Sequence, residues 1–211
     1  MISSFPMIFF APYAGILIDK KGPRFTIVLG LFLLIIAFTS LTIFMPTGNL
    51  ILISLSLITF GFGMILTMVS SFNSGVGSVP QNKRGAASGV LNTFRNTGTS
   101  LGVAILGAIF SHSQFNRFSH LLLRKKETSN LDPNIFEGLL SNTSKAINAF
   151  KSLSSNIQLS VKEALKSSYI YGITFSNLFA AFIIVVTFCI ILYYFKPKKV
   201  KIEEEFKSIE P

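Results

Sequence analysis

Gly15-Ile16-Leu17-Ile18-Asp19-Lys20-Lys21-Gly22-Pro23-Arg24 is the stretch whose reading decides the fold. Residues 1–18, up to the first of its charges, and 25–45 after it hold no charged side chain. An apolar run of about 20 residues is long enough to cross the hydrocarbon core of a bilayer. The stretch is therefore a tight charged hairpin between two membrane-length helices.

The rest of the composition agrees. Half of the chain is hydrophobic and 13% is charged, against about 25% charged in a soluble domain. Five apolar runs, 1–18, 25–45, 50–72, 86–110 and 169–195, predict an all-α integral membrane protein with about five transmembrane helices. Pro6 and Pro12 in the first run suit a membrane helix, where neighbouring groups re-satisfy the freed backbone. That run has no basic leader and continues into a charged loop and a second span, so it is not read as a signal peptide. The net charge of +10 sits mostly in loops between spans, where it sets orientation and does not point to nucleic acid. His112 and His120 read as solvated loop residues, and the single Cys189 forms no internal disulfide. Nothing has the spacing of a metal site, a phosphate loop or a nucleophile with its base, so no metal, no cofactor and no enzyme activity is expected.

The run 86–110 differs in kind. Gly85, Gly89, Gly98, Gly102 and Gly107 include two G-x-x-x-G pairs, which let another helix backbone come close. Ser88, Asn92, Arg95, Asn96 and Thr99 recur at three- and four-residue spacing and form one polar face. Arg95 is its sharpest member. An arginine inside a span costs about 3 kcal/mol on insertion scales unless it is paired or reaches water. Two readings stand: a cavity wall that meets substrate or a partner's acid, or a structural arginine that snorkels or bonds a carbonyl. With Gly89, Asn92, Asn96 and Thr99 it makes a candidate cavity or half–half interface. Asn73 and Asn177 are further candidates for cavity lining, with an interhelical hydrogen bond as the alternative. Gly172, Ser176 and Ala180 give the last run a small face for packing.

Residues 111–168 read as a long external polar segment. Within it Asp132-Pro133 marks a helix start, and a second, amphipathic helix is expected over about 144–168. Ile147, Phe150, Leu153, Ile157, Val161 and Leu165 lie on one face of it and Lys145, Lys151, Lys162 and Lys166 on the other. That helix either lies on the membrane surface or caps the bundle. Asn142-Thr143-Ser144 fits a glycosylation sequon by pattern alone. The tail 196–211 alternates lysine and glutamate and is expected to be solvated. The basic residues of the short 19–24 and 79–85 loops fall on the side of that tail, which makes that side, with the C-terminus, cytoplasmic.

The pattern G-x-L-x-D-K-x-G-x-R, followed by VPQNKRGAASGVLNTFRNTGTSLGVAILG from Val79 to Gly107, resembles the major facilitator superfamily. In particular it resembles the C-terminal part of fourteen-span drug:proton antiporters of the multidrug efflux type. The resemblance implies a plasma-membrane, multi-pass secondary transporter that exports small amphipathic substrates against protons. It also implies that Gly15, Asp19, Lys20, Gly22 and Arg24 form a cytoplasmic gating motif, with a solvated turn as the alternative. Asp19 is expected to accept from the first N–H groups of the second helix or to pair with Arg24. Pro23 departs from the family pattern, which often has a basic residue there. Spans 25–45, 50–72, 86–110 and 169–195 hold no Asp or Glu, so the intramembrane acid of relatives has no counterpart in them. A second polypeptide supplying the N-terminal spans is therefore an expected partner, besides the lipid bilayer. The competing class is a non-transporting membrane fragment or scaffold from a truncated or split gene.

Overall fold

The structure, a computed structural model, describes residues 4–123, 138, 143, 150 and 154–194. They form α1 (Ser4–Lys21), α2 (Pro23–Phe44), α3 (Leu50–Gly77), a 3-10 turn (Gln81–Lys83), α4 (Arg84–Leu123) and α5 (Ser155–Tyr194). No strand occurs among the described residues. The helix start expected at Asp132-Pro133, most of the helix expected over 144–153, and the tail 196–211 lie outside the described residues.

Short connections make the early helices neighbours. Gly22 joins α1 to α2, and Pro23 occupies the first turn of α2, where its missing N–H costs nothing. The 45–48 turn joins α2 to α3, and Asn49 caps α3 by accepting from the Ile51 N–H at 3.1 Å. α2 then sits between α3 and α5, α1 lies against α3, and α4 pairs with α5.

The contact of α2 with α3 is backbone-close. A Cβ on Gly63 would lie 2.8 Å from the Gly30 carbonyl oxygen and 2.9 Å from the Leu34 backbone nitrogen. Gly30 in turn faces the backbone and hydroxyl of Thr67. Phe38 and Phe60 add an edge-to-face pair at 5.6 Å. In lipid, apolar surface gains nothing by meeting apolar surface, so close van der Waals packing at small residues holds helices together.

Among the described residues, three helices are long and apolar enough to cross a membrane: Pro23–Phe44, Leu50–Gly77 and Ile157–Tyr194. Of the other two expected spans, α1 ends in the charged Asp19, Lys20 and Lys21, and Asn92, Arg95 and Asn96 lower the hydropathy of α4. The most apolar window of the last helix is only 11% buried within the chain, so lipid or another polypeptide must cover the rest.

The long polar segment departs most from expectation. The helix expected to stop at 110 runs on to Leu123, and the helix expected to end near 168 continues without a break into the last span. Each is 40 residues long, about 60 Å at 1.5 Å per residue, twice the hydrocarbon thickness. Tyrosines cluster at two levels of α5. Tyr193 and Tyr194 stand at one end of α5, with Tyr169 and Tyr171 further back. Tyr171 to Tyr193 spans about 33 Å of helix, the spacing of two interfacial aromatic belts. Beyond Tyr169 the two helices form a stalk whose core is Phe118, Leu122, Val161 and Ala164, flanked by Leu121, Ile157 and Leu165. Lys162 and Lys166 face outward. Over 155–168 the apolar stripe thus covers the end of α4.

Candidate functional site

Two places gather the residues of interest. The first is the charged junction of α1 and α2. Gly22 has φ 82° and ψ 160°, a region open in practice only to glycine. The turn needs this residue for its backbone. Asp19 lies exposed in the last turn of α1, and α2 carries no side-chain cap. The expected capping of α2 by Asp19 is therefore not made. Nor is the Asp19–Arg24 pair, because Arg24 reaches elsewhere: its guanidinium donates to the Leu192 carbonyl oxygen at 2.9 Å. That carbonyl is among the last four of α5, which have no partner within the helix, and a cation there also meets the negative end of the helix dipole. The basic junction and the end of the last helix are thus tied at one end of the bundle. Lys21 sits over the Phe25 ring at 4.7 Å. Lys20 stays exposed, and a Cβ on Gly15 would meet nothing within 4 Å.

A Gly22→Ala variant should lose about 1–3 kcal/mol of stability, the cost of a strained backbone position. Gly15→Ala should be neutral. Thermal unfolding of the detergent-solubilised chain distinguishes the two.

The second place is a cavity of about 360 Å³ between α2, α3 and α4. From α2 comes Leu34. The α3 wall is Met64, Met68 and Phe72, with Thr67 and Ser71. From α4 come Leu91, Arg95 and Thr99. The Thr67 hydroxyl donates to the Gly63 carbonyl and the Thr99 hydroxyl to the Arg95 carbonyl, both at 2.8 Å. Both threonine protons are thus used inside their own helices. The Arg95 guanidinium, exposed to this cavity, forms no hydrogen bond or ion pair with any described residue.

Of the polar-face residues, Arg95 and Thr99 are brought into this cavity. Gly89, Asn92 and Asn96 are exposed on α4 without lining it, Asn73 is exposed on α3, and Asn177 is half-buried on α5 away from it. The small face of α5 meets α4. A Cβ on Gly172 would press on Phe110 at 3.0 Å, and the Ser176 hydroxyl donates to the Leu106 carbonyl at 3.5 Å. Gly85, Gly89, Gly98, Gly102 and Gly107 differ: a Cβ on any of them would meet nothing within 4 Å. The close approach expected there is not made by any described residue. Sequence reading also missed Leu34, Met64 and Met68 as cavity walls, because nothing in an apolar run tells a cavity wall from a lipid-facing side chain.

Comparison with known proteins adds the following. Residues 1–103 match the family model described as Major Facilitator Superfamily. The chain is 28% identical over 170 residues to the uncharacterized MFS-type transporter YhcA of Bacillus subtilis (strain 168), covering 79% of this chain and 29% of that protein. It is 28% identical over 107 residues to the riboflavin transporter RibZ of Clostridioides difficile (strain 630), covering 51% of this chain and 24% of that protein. It is 29% identical over 105 residues to the tetracenomycin C resistance and export protein of Streptomyces glaucescens, covering 50% and 20%. The chain thus spans between a fifth and under a third of the length of these relatives. No solved structure matches it significantly. The matches support a likeness to the major facilitator superfamily, whose members are membrane proteins.

Proposed function

We propose that this chain is the C-terminal part of a fourteen-span drug:proton antiporter, which exports amphipathic small molecules across the plasma membrane with the help of N-terminal spans on another stretch of polypeptide. The observation that carries this reading is the open face of α4. Its glycines and its Gly89, Asn92 and Asn96 positions have room for a backbone beside them, and among the described residues no helix fills it. A polar, glycine-rich face is costly against lipid, and transporters of this kind rock two halves about a site near the membrane midplane. The similarity to an export protein supports the drug-efflux branch. The positive-inside bias of Lys20, Lys21, Arg24, Lys83 and Arg84 supports a cytoplasmic face for the end that Arg24 ties to α5. The junction then serves as the cytoplasmic gate, with the stalk outside.

A second reading, a non-transporting membrane scaffold, is favoured by one observation. The acids among the described residues are Asp19 at the exposed end of α1 and Glu163 in the stalk, so no carboxylate there lies at membrane depth to exchange a proton.

Proteoliposomes separate the two. The chain alone should show no dye movement driven by a proton gradient. Joined to the N-terminal spans of a transporter of this family, it should. Transport by the chain alone would overturn its incompleteness. A well-folded but inactive joined protein would favour the scaffold.

A further inference from the structure

We propose that the cavity between α2, α3 and α4 is an oxyanion site, in which Arg95 takes the acidic group of an amphipathic molecule whose apolar body lies against Met64, Met68, Phe72 and Leu91. As the substrate class of the transporter, this rests on the reading above; as a binding site it stands on the cavity alone.

The argument is one of elimination by charge. At about 360 Å³ the cavity is at the small end of the range for ligand pockets. Its walls are mostly apolar, and the two methionines adapt to bodies of different shape. The threonine hydroxyls have given their protons to backbone carbonyls. Besides the Ser71 hydroxyl, the group left to recognise a ligand, and the one that carries charge, is the guanidinium, which is always charged and offers five donors in a planar fork. Among the described residues no acid lines the cavity. A cationic amphipath would therefore meet an uncompensated like charge where the dielectric is low. A neutral one would cover the guanidinium and leave it unpaired, which is costly. A carboxylate or phosphate accepts two parallel N–H bonds from the fork and neutralises it. Two sources carry that chemistry: a free amphipathic acid, or the headgroup of an anionic lipid reaching in from the bilayer.

Equilibrium dialysis with the full chain in nanodiscs tests this, with empty nanodiscs as blank. The probes are 2-naphthoate, 2-naphthamide and 2-naphthylmethylammonium, which share a body and differ in charge. In phosphatidylcholine discs the chain should bind naphthoate at least tenfold more tightly than either comparator. Arg95→Gln should erase that preference. Arg95→Lys should keep the preference with weaker binding, because the charge stays and the fork is lost. The lysine variant also keeps the test decisive if the glutamine variant folds poorly. With one third phosphatidylglycerol in the discs, weaker naphthoate binding makes the lipid headgroup the occupant, and unchanged binding assigns the site to a free acid. Equal binding of the three probes, a preference that survives Arg95→Gln, or no saturable naphthoate binding would each overturn the proposal. Binding is read without transport, so an inactive joined transporter would leave this result standing, and the reverse holds too.

Discussion

Gly63→Ala is expected to force α2 and α3 apart and to cost about 2–3 kcal/mol, the upper part of the range for overpacking. The added methyl would lie 2.8 Å from the Gly30 carbonyl oxygen and 2.9 Å from the Leu34 nitrogen. Both are backbone atoms, and no rotamer change moves them. Gly30→Ala should behave alike, since it meets the Thr67 backbone nitrogen at 2.8 Å. Gly75→Ala should be milder, because its neighbour at 2.7 Å is the end of the Leu91 side chain, which can turn away. Gly98→Ala should leave the isolated chain unchanged, having open space around it. Thermal unfolding in detergent ranks the four. The account fails if Gly98→Ala destabilises the isolated chain as much as Gly63→Ala does. In a complete transporter the ranking should change: Gly89→Leu should abolish transport while the chain by itself still folds.

That contrast shows what could be read in the amino-acid sequence and what could not. The charged hairpin was legible because four charges between two uncharged runs admit few other readings, and the structure puts the helix break at Gly22 within it. The glycine pairs of α4 were legible as a small-residue face, yet the close contacts within the chain fall on Gly30 and Gly63. Spacing along one helix says that a face is small. It does not say which partner uses it. Arg24 shows the same limit: local spacing offered Asp19, while the carbonyl it meets lies 168 residues away in sequence. The stalk was half legible. The period of Ile157, Val161 and Leu165 demanded a partner surface. The run Ser111-His112-Ser113-Gln114 hid that surface by ending the hydropathy of α4, although Phe118 and Leu122 continue its helical period. A fall in hydropathy there does not mark the end of the helix.

The stalk should therefore fail by a different route from the membrane part. Phe118, Leu122 and Val161 are 0% exposed, and they lie past the tyrosine belt, where water is the alternative environment. Apolar burial there carries its full aqueous value. Phe118→Ala is expected to cost about 3–5 kcal/mol, for lost transfer energy and the cavity left behind. Val161→Asp should be at least as severe, because it buries a carboxylate in the apolar Phe118–Leu122 core. Neither change touches the Gly30–Gly63 contact, which depends on close backbone approach and not on the exclusion of water. Amide hydrogen exchange should therefore speed up over 113–123 and 157–168, while protection in α2 and α3 stays as it was. The Arg117 guanidinium over the Tyr171 ring, at 5.3 Å, lies near the level where the two regimes meet, and protection should return within about a turn of it on the membrane side. Loss of protection throughout α2 and α3 in Phe118→Ala would show that stalk and membrane bundle fold as one unit, and the division drawn between them would fall.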